Sequence, residues 1–144
     1  MSRGFLVDTN VLSELMRPSP ATEVLAWFAQ QAQSLIQTSA ITQAEVLSGI
    51  ALLPPGQRRD GLAQAAEQLF ERDLSGRCLA FGSAAAKHYA LVIAQRQRAG
   101  RPMATEDAQI AAIALAADLH LVTRNTKDFS DIHNLCVINP WQTH

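Results

Sequence analysis

The sequence predicts an α/β protein, a three-layer α/β/α sandwich around a central, mostly parallel five-stranded sheet. Three observations lead there. Short apolar runs alternate with longer helical patterns along the whole chain. The apolar runs are hydrophobic at successive positions, as strands covered on both faces are. The chain has 144 residues, 48% hydrophobic and 17% charged, so one core can form without disulfide or metal staples. At that size about two-thirds of the unfolded chain's surface is buried on folding. A single domain over residues 1–144 is expected.

The elements follow in order. Phe5-Leu6-Val7 is the first strand, closing at Asp8. Thr9 to Met16 is helical and stops at Arg17-Pro18, because the residue before proline avoids the helical region. Ala21 to Gln33 carries Val24, Leu25, Phe28 and Ala32 at helical spacing. Leu35 to Thr38 is the second strand, and Ile41 to Leu53 a helix ended by Pro54-Pro55-Gly56. Arg58 to Leu74 is a helix with Gly76 as its stop. Cys78 to Phe81 is the third strand. Ser83 caps a long helix to Ala99, which Gly100-Arg101-Pro102 ends. Thr105 to Asp118 is helical, His120 to Thr123 is the fourth strand, and Cys136-Val137-Ile138 is the fifth.

Composition excludes several classes. No run of about 18 apolar residues offers a membrane span. No signal-peptide core follows Met1-Ser2-Arg3-Gly4, so the cytoplasm is the expected compartment. Cys78 and Cys136 lie far apart in apolar stretches and read as buried free thiols. His88, His120, His133 and His144 show no ligand spacing. Twelve Lys and Arg against thirteen Asp and Glu leave a net charge of −1, without the basic excess of many nucleic-acid binders. Arg96, Arg98 and Arg101 read as a solvated helix face. Trp27 and Phe28 read as core or interface, and Trp141 as packing for the chain end.

In open parallel sheets, ligands bind beyond the carboxyl ends of the strands. Asp8 closes the first strand, and Glu45 lies early in the helix after the second. Asp107 lies in the first turn of the helix before the fourth strand, which Asn125 and Asp128 follow. Each acid has a plain structural use. Asp8 suits a helix cap, Thr42-x-x-Glu45 has capping-box spacing, and Asp107 suits a helix dipole. Capping does not require them all at one sheet edge. Like charges about 4 Å apart repel by about 4 kcal/mol at an effective dielectric of about 20. A hard divalent ion removes that cost, and the donors are all oxygen, which suits Mg²⁺ or Mn²⁺. Such an ion equips a site for phosphodiester hydrolysis. Thr9 and Asn10 stand beside the site, able to orient a carboxylate or simply to start a helix.

Five stretches, in order, resemble PIN-domain nucleases of the VapC and FitB type, the toxin half of toxin–antitoxin pairs and plasmid-stability loci. They are Phe5-Leu-Val-Asp8-Thr9-Asn10-Val-Leu12, Ile41-Thr42-x-x-Glu45-Val-Leu-x-Gly49, Thr105-Glu106-Asp107-Ala108-Gln109-Ile110-Ala111-Ala112, Val122-Thr123-Arg124-Asn125-Thr126-Lys127-Asp128-Phe129 and Asn139-Pro140-Trp141. The resemblance implies an RNA endonuclease that uses Mg²⁺ or Mn²⁺ and a metal-activated water. It places metal ligation on Asp8 and Asp107 and the second acid on Glu45. The fourth position falls on Asp128 or on Asn125, which can hydrogen-bond but adds no charge. Glu106 is expected to point away from the metal, since adjacent helical positions diverge by about 100°. The resemblance also implies a homodimer and an antitoxin. The antitoxin's helix would fill an apolar groove of the helices at 21–33 and 41–53 and push a basic side chain toward the acids.

Two rival readings stand beside it. An Asp-dependent phosphotransfer domain also opens with an Asp after its first strand, but Asn10 stands where its second Asp is wanted. A catalytically weak binding module of the same fold draws on Asn125 in place of an acid.

Overall fold

Phe5, Leu6 and Val7 point alternately to opposite faces of a strand, and both faces are covered. Phe5 and Val7 join one hydrophobic core together with Val122, while Leu6 joins another together with Leu121. Two cores separated by one sheet make three layers. The computed structural model describes residues 3–142. Its elements are β1 (Phe5–Val7), α1 (Thr9–Leu15), α2 (Thr22–Ala29), β2 (Ile36–Ser39), α3 (Ala40–Ala51), α4 (Gln57–Glu67), β3 (Cys78–Leu79), α5 (Ser83–Arg98), α6 (Thr105–Ala116), β4 (His120–Val122) and β5 (Val137–Ile138).

The strands run in the order β3-β2-β1-β4-β5. Every neighbouring pair is parallel, so the sheet is wholly parallel where the sequence predicted mostly so. Helices α1 to α4 supply Val11, Leu12, Val24, Val46, Ile50 and Ala66 to the core on one face. Helices α5 and α6 cover the other. Helix α6 is buried nearly all round, at Ala108 and from Ile110 to Ala114. Its alanines let α5 and the sheet approach it closely from opposite sides. Among the described residues, no helix is long and apolar enough to cross a membrane.

Several boundaries differ from the sequence reading, each for a local reason. β3 stops at Leu79 rather than Phe81, because its partner β2 ends at Ser39, opposite Leu79. β4 stops at Val122; the Thr123 amide still donates to the Ile138 carbonyl at 2.9 Å, while its hydroxyl bonds to the Asp8 carboxylate. The helix predicted over 21–33 ends at Ala29, and a separate tight turn covers Gln33–Leu35. The helix predicted over 58–74 is regular only to Glu67, then widens into a π-helical segment over Gln68–Asp73. The Leu74 amide reaches back five residues to the Leu69 carbonyl at 2.8 Å. This wider turn keeps Ala66, Phe70 and Leu74, spaced by four, all buried on one face. Gly82, not Ser83, occupies the cap position of α5, with no side-chain cap bond. Ser39 caps α3 by accepting from the Thr42 amide at 3.0 Å, so Thr42 and Glu45 do not form the capping box their spacing suggested. Cys136 is exposed and Cys78 half-buried, against the expectation of two buried thiols.

Candidate active site

The chain lays down β1, β2 and β3 to one side, then returns to place β4 and β5 on the other side of β1. The reversal leaves a crevice at the carboxyl ends of β1 and β4, where parallel sheets of this kind bind ligands. Asp8 ends β1 there. Its amide donates to the Val122 carbonyl at 2.9 Å, extending the ladder one step past β1.

Asp8 is buried, at 4% exposure. Its carboxylate caps α1 by accepting from the Thr9 amide at 2.8 Å. Oδ2 accepts from the Thr123 hydroxyl at 2.7 Å and from the Asn10 amide at 3.3 Å. Asn10 also ties the two strand ends together, accepting from the Arg124 amide at 3.0 Å. Burial raises the Asp8 pKa above its ordinary value. The hydrogen bonds from Thr123, Thr9 and Asn10 oppose that rise, and the Asp128 charge adds to it.

Glu45 is exposed on α3, on the side facing α1. The Thr9 hydroxyl donates to its Oε1 at 2.8 Å and lies 3.3 Å from the buried Thr42 hydroxyl. Asp107 sits in the first turn of α6, half-buried. Its carboxyl is pushed up to about 6, by burial first and then by the charges of Asp8, Asp128, Glu45 and Glu106. Acids from β1, α3, α6 and the segment after β4 therefore all act on one carboxyl. The start of a helix ordinarily favours the charged form of an acid, so the rise is won against the helix dipole. The exposed Glu106 contributes last of the four.

Asp128 lies in a 3₁₀ turn over Thr126–Phe129 that the sequence reading did not resolve. Phe129 is buried and anchors the turn. Asn125 precedes it. Its carbonyl accepts from the Asp128 amide at 3.1 Å, and its amide donates to the Thr123 hydroxyl at 3.2 Å. Asn125 thus acts on the site through its backbone. Arg124, Lys127 and Asn139 line a shallow cleft with Asp128. The Arg124 guanidinium stacks 4.6 Å from the Trp141 ring, which gives Trp141 a role beyond packing the chain end.

Among the described residues, none of Asp8, Glu45, Asp107 or Asp128 is in an ion pair. Nor do any three or more of the described His, Cys, Asp and Glu come together closely enough to hold a metal ion by themselves. The donor set fits a hard ion held through one or two carboxylates and its own waters, the usual manner of Mg²⁺, rather than an all-protein cage. Two further residues serve the site without having been singled out from sequence. Thr123 is buried on the Asp8 carboxylate. Arg96, read as part of a solvated face, is 5% exposed and donates to the backbone of the Asp128 turn. The signal for Thr123 was its place at the end of the expected fourth strand, in a stretch that resembles PIN-domain nucleases, and Arg96 had none.

Comparison with known proteins shows the family. The PIN domain model matches residues 5–135. Plasmid stability protein StbB of Pseudomonas syringae pv. tomato is 42% identical over 137 residues, 95% of this chain and 98% of that protein. VapC ribonuclease Y4jK of Sinorhizobium fredii is 38% identical over 95% of this chain and 97% of its own length. Toxin FitB of Neisseria gonorrhoeae is 37% identical over 94% and 97%. The crystal structure of FitAcB from that organism superposes with a TM-score of 0.88 at 36% identity, covering 96% of this chain and 99% of the matched one. A PIN domain match over most of the chain, together with relatives 37–42% identical along nearly its whole length, means that this protein belongs to the PIN-domain family.

Proposed function

We propose that this chain is a cytoplasmic, Mg²⁺- or Mn²⁺-dependent endoribonuclease, built as one domain, and the toxin of a toxin–antitoxin pair. The observation that carries the reading is the convergence of Asp8, Glu45 and Asp128, from three separate parts of the chain, on Asp107 at the start of α6, close enough that their charges and burial together raise its pKa. A crevice that concentrates negative charge is stabilised by a divalent cation. The printed names of two relatives, a VapC ribonuclease and a toxin, support the same reading.

Asp8 and Asp107 would hold the ion, and Asp128 would add the fourth acid. When bound, the ion supplies charge to a phosphoryl oxygen and lowers the pKa of a water. The rest falls to the chain. Thr123 and Asn10 fix Oδ2 of Asp8, so that carboxylate is oriented before any ligand arrives. Thr9 holds one oxygen of Glu45, leaving the other free to accept a proton from an attacking water. Arg124 and Lys127, on the cleft beside Asp128, are placed to meet the phosphates that flank the cut bond.

The antitoxin's helix has a suitable groove, lined by Leu12, Leu15, Leu25, Phe28, Leu69 and Leu74. A basic side chain beyond that helix would neutralise the acids. The groove draws on α1, α2 and the segment after α4; the expected helix at 41–53 lines no part of it. The protein alone is proposed to be a homodimer, so light scattering should exceed the monomer mass of 15.6 kDa.

The deciding experiment is RNA cleavage by the purified chain with Mg²⁺ or Mn²⁺. Cleavage should stop in excess EDTA, leave 5′-phosphate and 3′-hydroxyl ends, and fall at least ~10²-fold in Asp8→Asn and in Asp107→Asn. Cleavage that persists in EDTA, or a 2′,3′-cyclic phosphate product, overturns the mechanism.

A further inference from the structure

Arg96, near the end of α5, is buried. Among the described residues its guanidinium meets no carboxylate. It donates instead to three backbone carbonyls, those of Arg101 at 2.8 Å, Asp128 at 2.9 Å and Ser130 at 3.1 Å. One of these lies in the turn that carries Asp128, and one at Ser130, the residue that closes it. The third belongs to the segment that leads from α5 into α6, whose first turn carries Asp107. One rigid, planar group thus fastens together the two segments that end in these two acids.

Phe129 anchors the turn on its buried side, but the backbone closes its exit loosely. The Ser130 amide reaches the Lys127 carbonyl only at 3.4 Å, and Asp131 sits in the left-handed region at φ 64°. Arg101 reinforces the clamp from outside, donating to the Lys127 carbonyl and the Ser130 hydroxyl and pairing with Asp131. A buried cation is costly unless its donors are satisfied, and an apolar side chain would fill the same volume without that cost. What an apolar side chain cannot do is set the direction of three carbonyls. The Asp128 side chain is exposed, so its place is decided by its backbone.

We propose that Arg96 is a positioning residue that holds the Asp128 turn against the start of α6 and so sets the Asp128 carboxylate against that of Asp107. The proposal rests on the reading of these two acids as partners in one site, and is tested without metal or RNA. Melting temperatures are measured in EDTA at low salt and about pH 8, where Asp107 is ionised. Asp107→Asn, Asp128→Asn and the double variant are compared in three backgrounds: wild type, Arg96→Gln and Arg96→Lys. In wild type, either single change relieves the same repulsion, so the double variant should gain less than the sum of the two. In Arg96→Gln the gains should add. In Arg96→Lys the shortfall should shrink, since an ammonium lacks the planar fork that spans both segments. If Arg96→Gln does not fold, Arg96→Lys decides alone. A shortfall kept at full size in the Arg96 variants, with only a lower melting temperature, makes Arg96 a staple for the loop and overturns the proposal. Simple addition in wild type overturns it as well. A failed cleavage assay leaves either result standing.

Discussion

The Thr123 hydroxyl donates to Oδ2 of Asp8 at 2.7 Å, joining two buried residues 115 positions apart in sequence. Each stands one step beyond its strand, at the crevice between β1 and β4. The same hydroxyl oxygen accepts from the Asn10 side chain at 3.3 Å and from the Asn125 amide at 3.2 Å. One small side chain thus orients the acid and starts the turn toward Asp128.

Thr123→Val keeps the shape and removes the hydroxyl. It leaves a buried carboxylate short of a donor, at a cost of about 1–3 kcal/mol in urea unfolding. Cleavage should fall by about tenfold or more, as when a partner orienting a metal ligand is lost. Thr123→Ser should restore most of both. Equal stability and activity in Thr123→Val would show that the hydrogen bond orients nothing.

The raised Asp107 pKa fixes the sign of a pH effect. The folded protein holds this proton up to about 6, while the unfolded chain releases it near the ordinary value of 3.8. Between the two the folded state binds more protons, so the contribution to stability is present at low pH and is lost as pH rises through about 6. Glu14 and Glu23 are shifted downward, the first by the Ala21 amide, and act in the opposite sense at lower pH. The diagnostic is therefore the difference between wild type and Asp107→Asn in EDTA. The variant should gain melting temperature over wild type above about pH 6 and lose that advantage at about pH 4. Mg²⁺ should raise the wild-type melting temperature more at neutral pH than in acid. A difference that is flat across this window would contradict the shift.

The two acids of the later motifs should not weigh equally. Asp107 is half-buried on a helix, and Asp128 is exposed on a turn. Asp128→Asn is expected to cost less in RNA cleavage than Asp107→Asn, measured as kcat/KM on the same substrate. The reverse order would move the main role to the turn.

Gly4 precedes β1 at a point of close approach. A Cβ there would meet the Leu119 side chain at 2.9 Å and the Leu35 carbonyl at 3.0 Å. The leucine can shift, but the carbonyl belongs to the turn entering β2. Gly4→Ala should lower stability by about 1–3 kcal/mol in urea unfolding. No loss would mean that the strand entrance yields more readily than its packing suggests.

Much of this molecule could be read along the chain. Alternating apolar runs and helical patterns specify a layered sheet because burial on two faces demands it. The acids Asp8, Glu45, Asp107 and Asp128 were visible as acids near strand ends, since chain order alone places a residue after Val7 or in the first turn after Met103. Strand lengths at the sheet edges were not visible, because β3 and β5 extend only as far as β2 and β4 offer partners. The π-helical widening at Gln68–Asp73 follows from which face meets the core, which periodicity over one segment does not reveal. Arg96 shows the limit most plainly. In sequence it is one arginine among Arg96, Arg98 and Arg101, equally suited to solvent. Only the tertiary structure brings the carbonyls of Arg101, Asp128 and Ser130 around it. Local sequence determines which residues are acids, donors and helix formers. Which donor meets which acceptor across 32 positions is decided by packing, because a hydrogen bond needs both partners at one point in space.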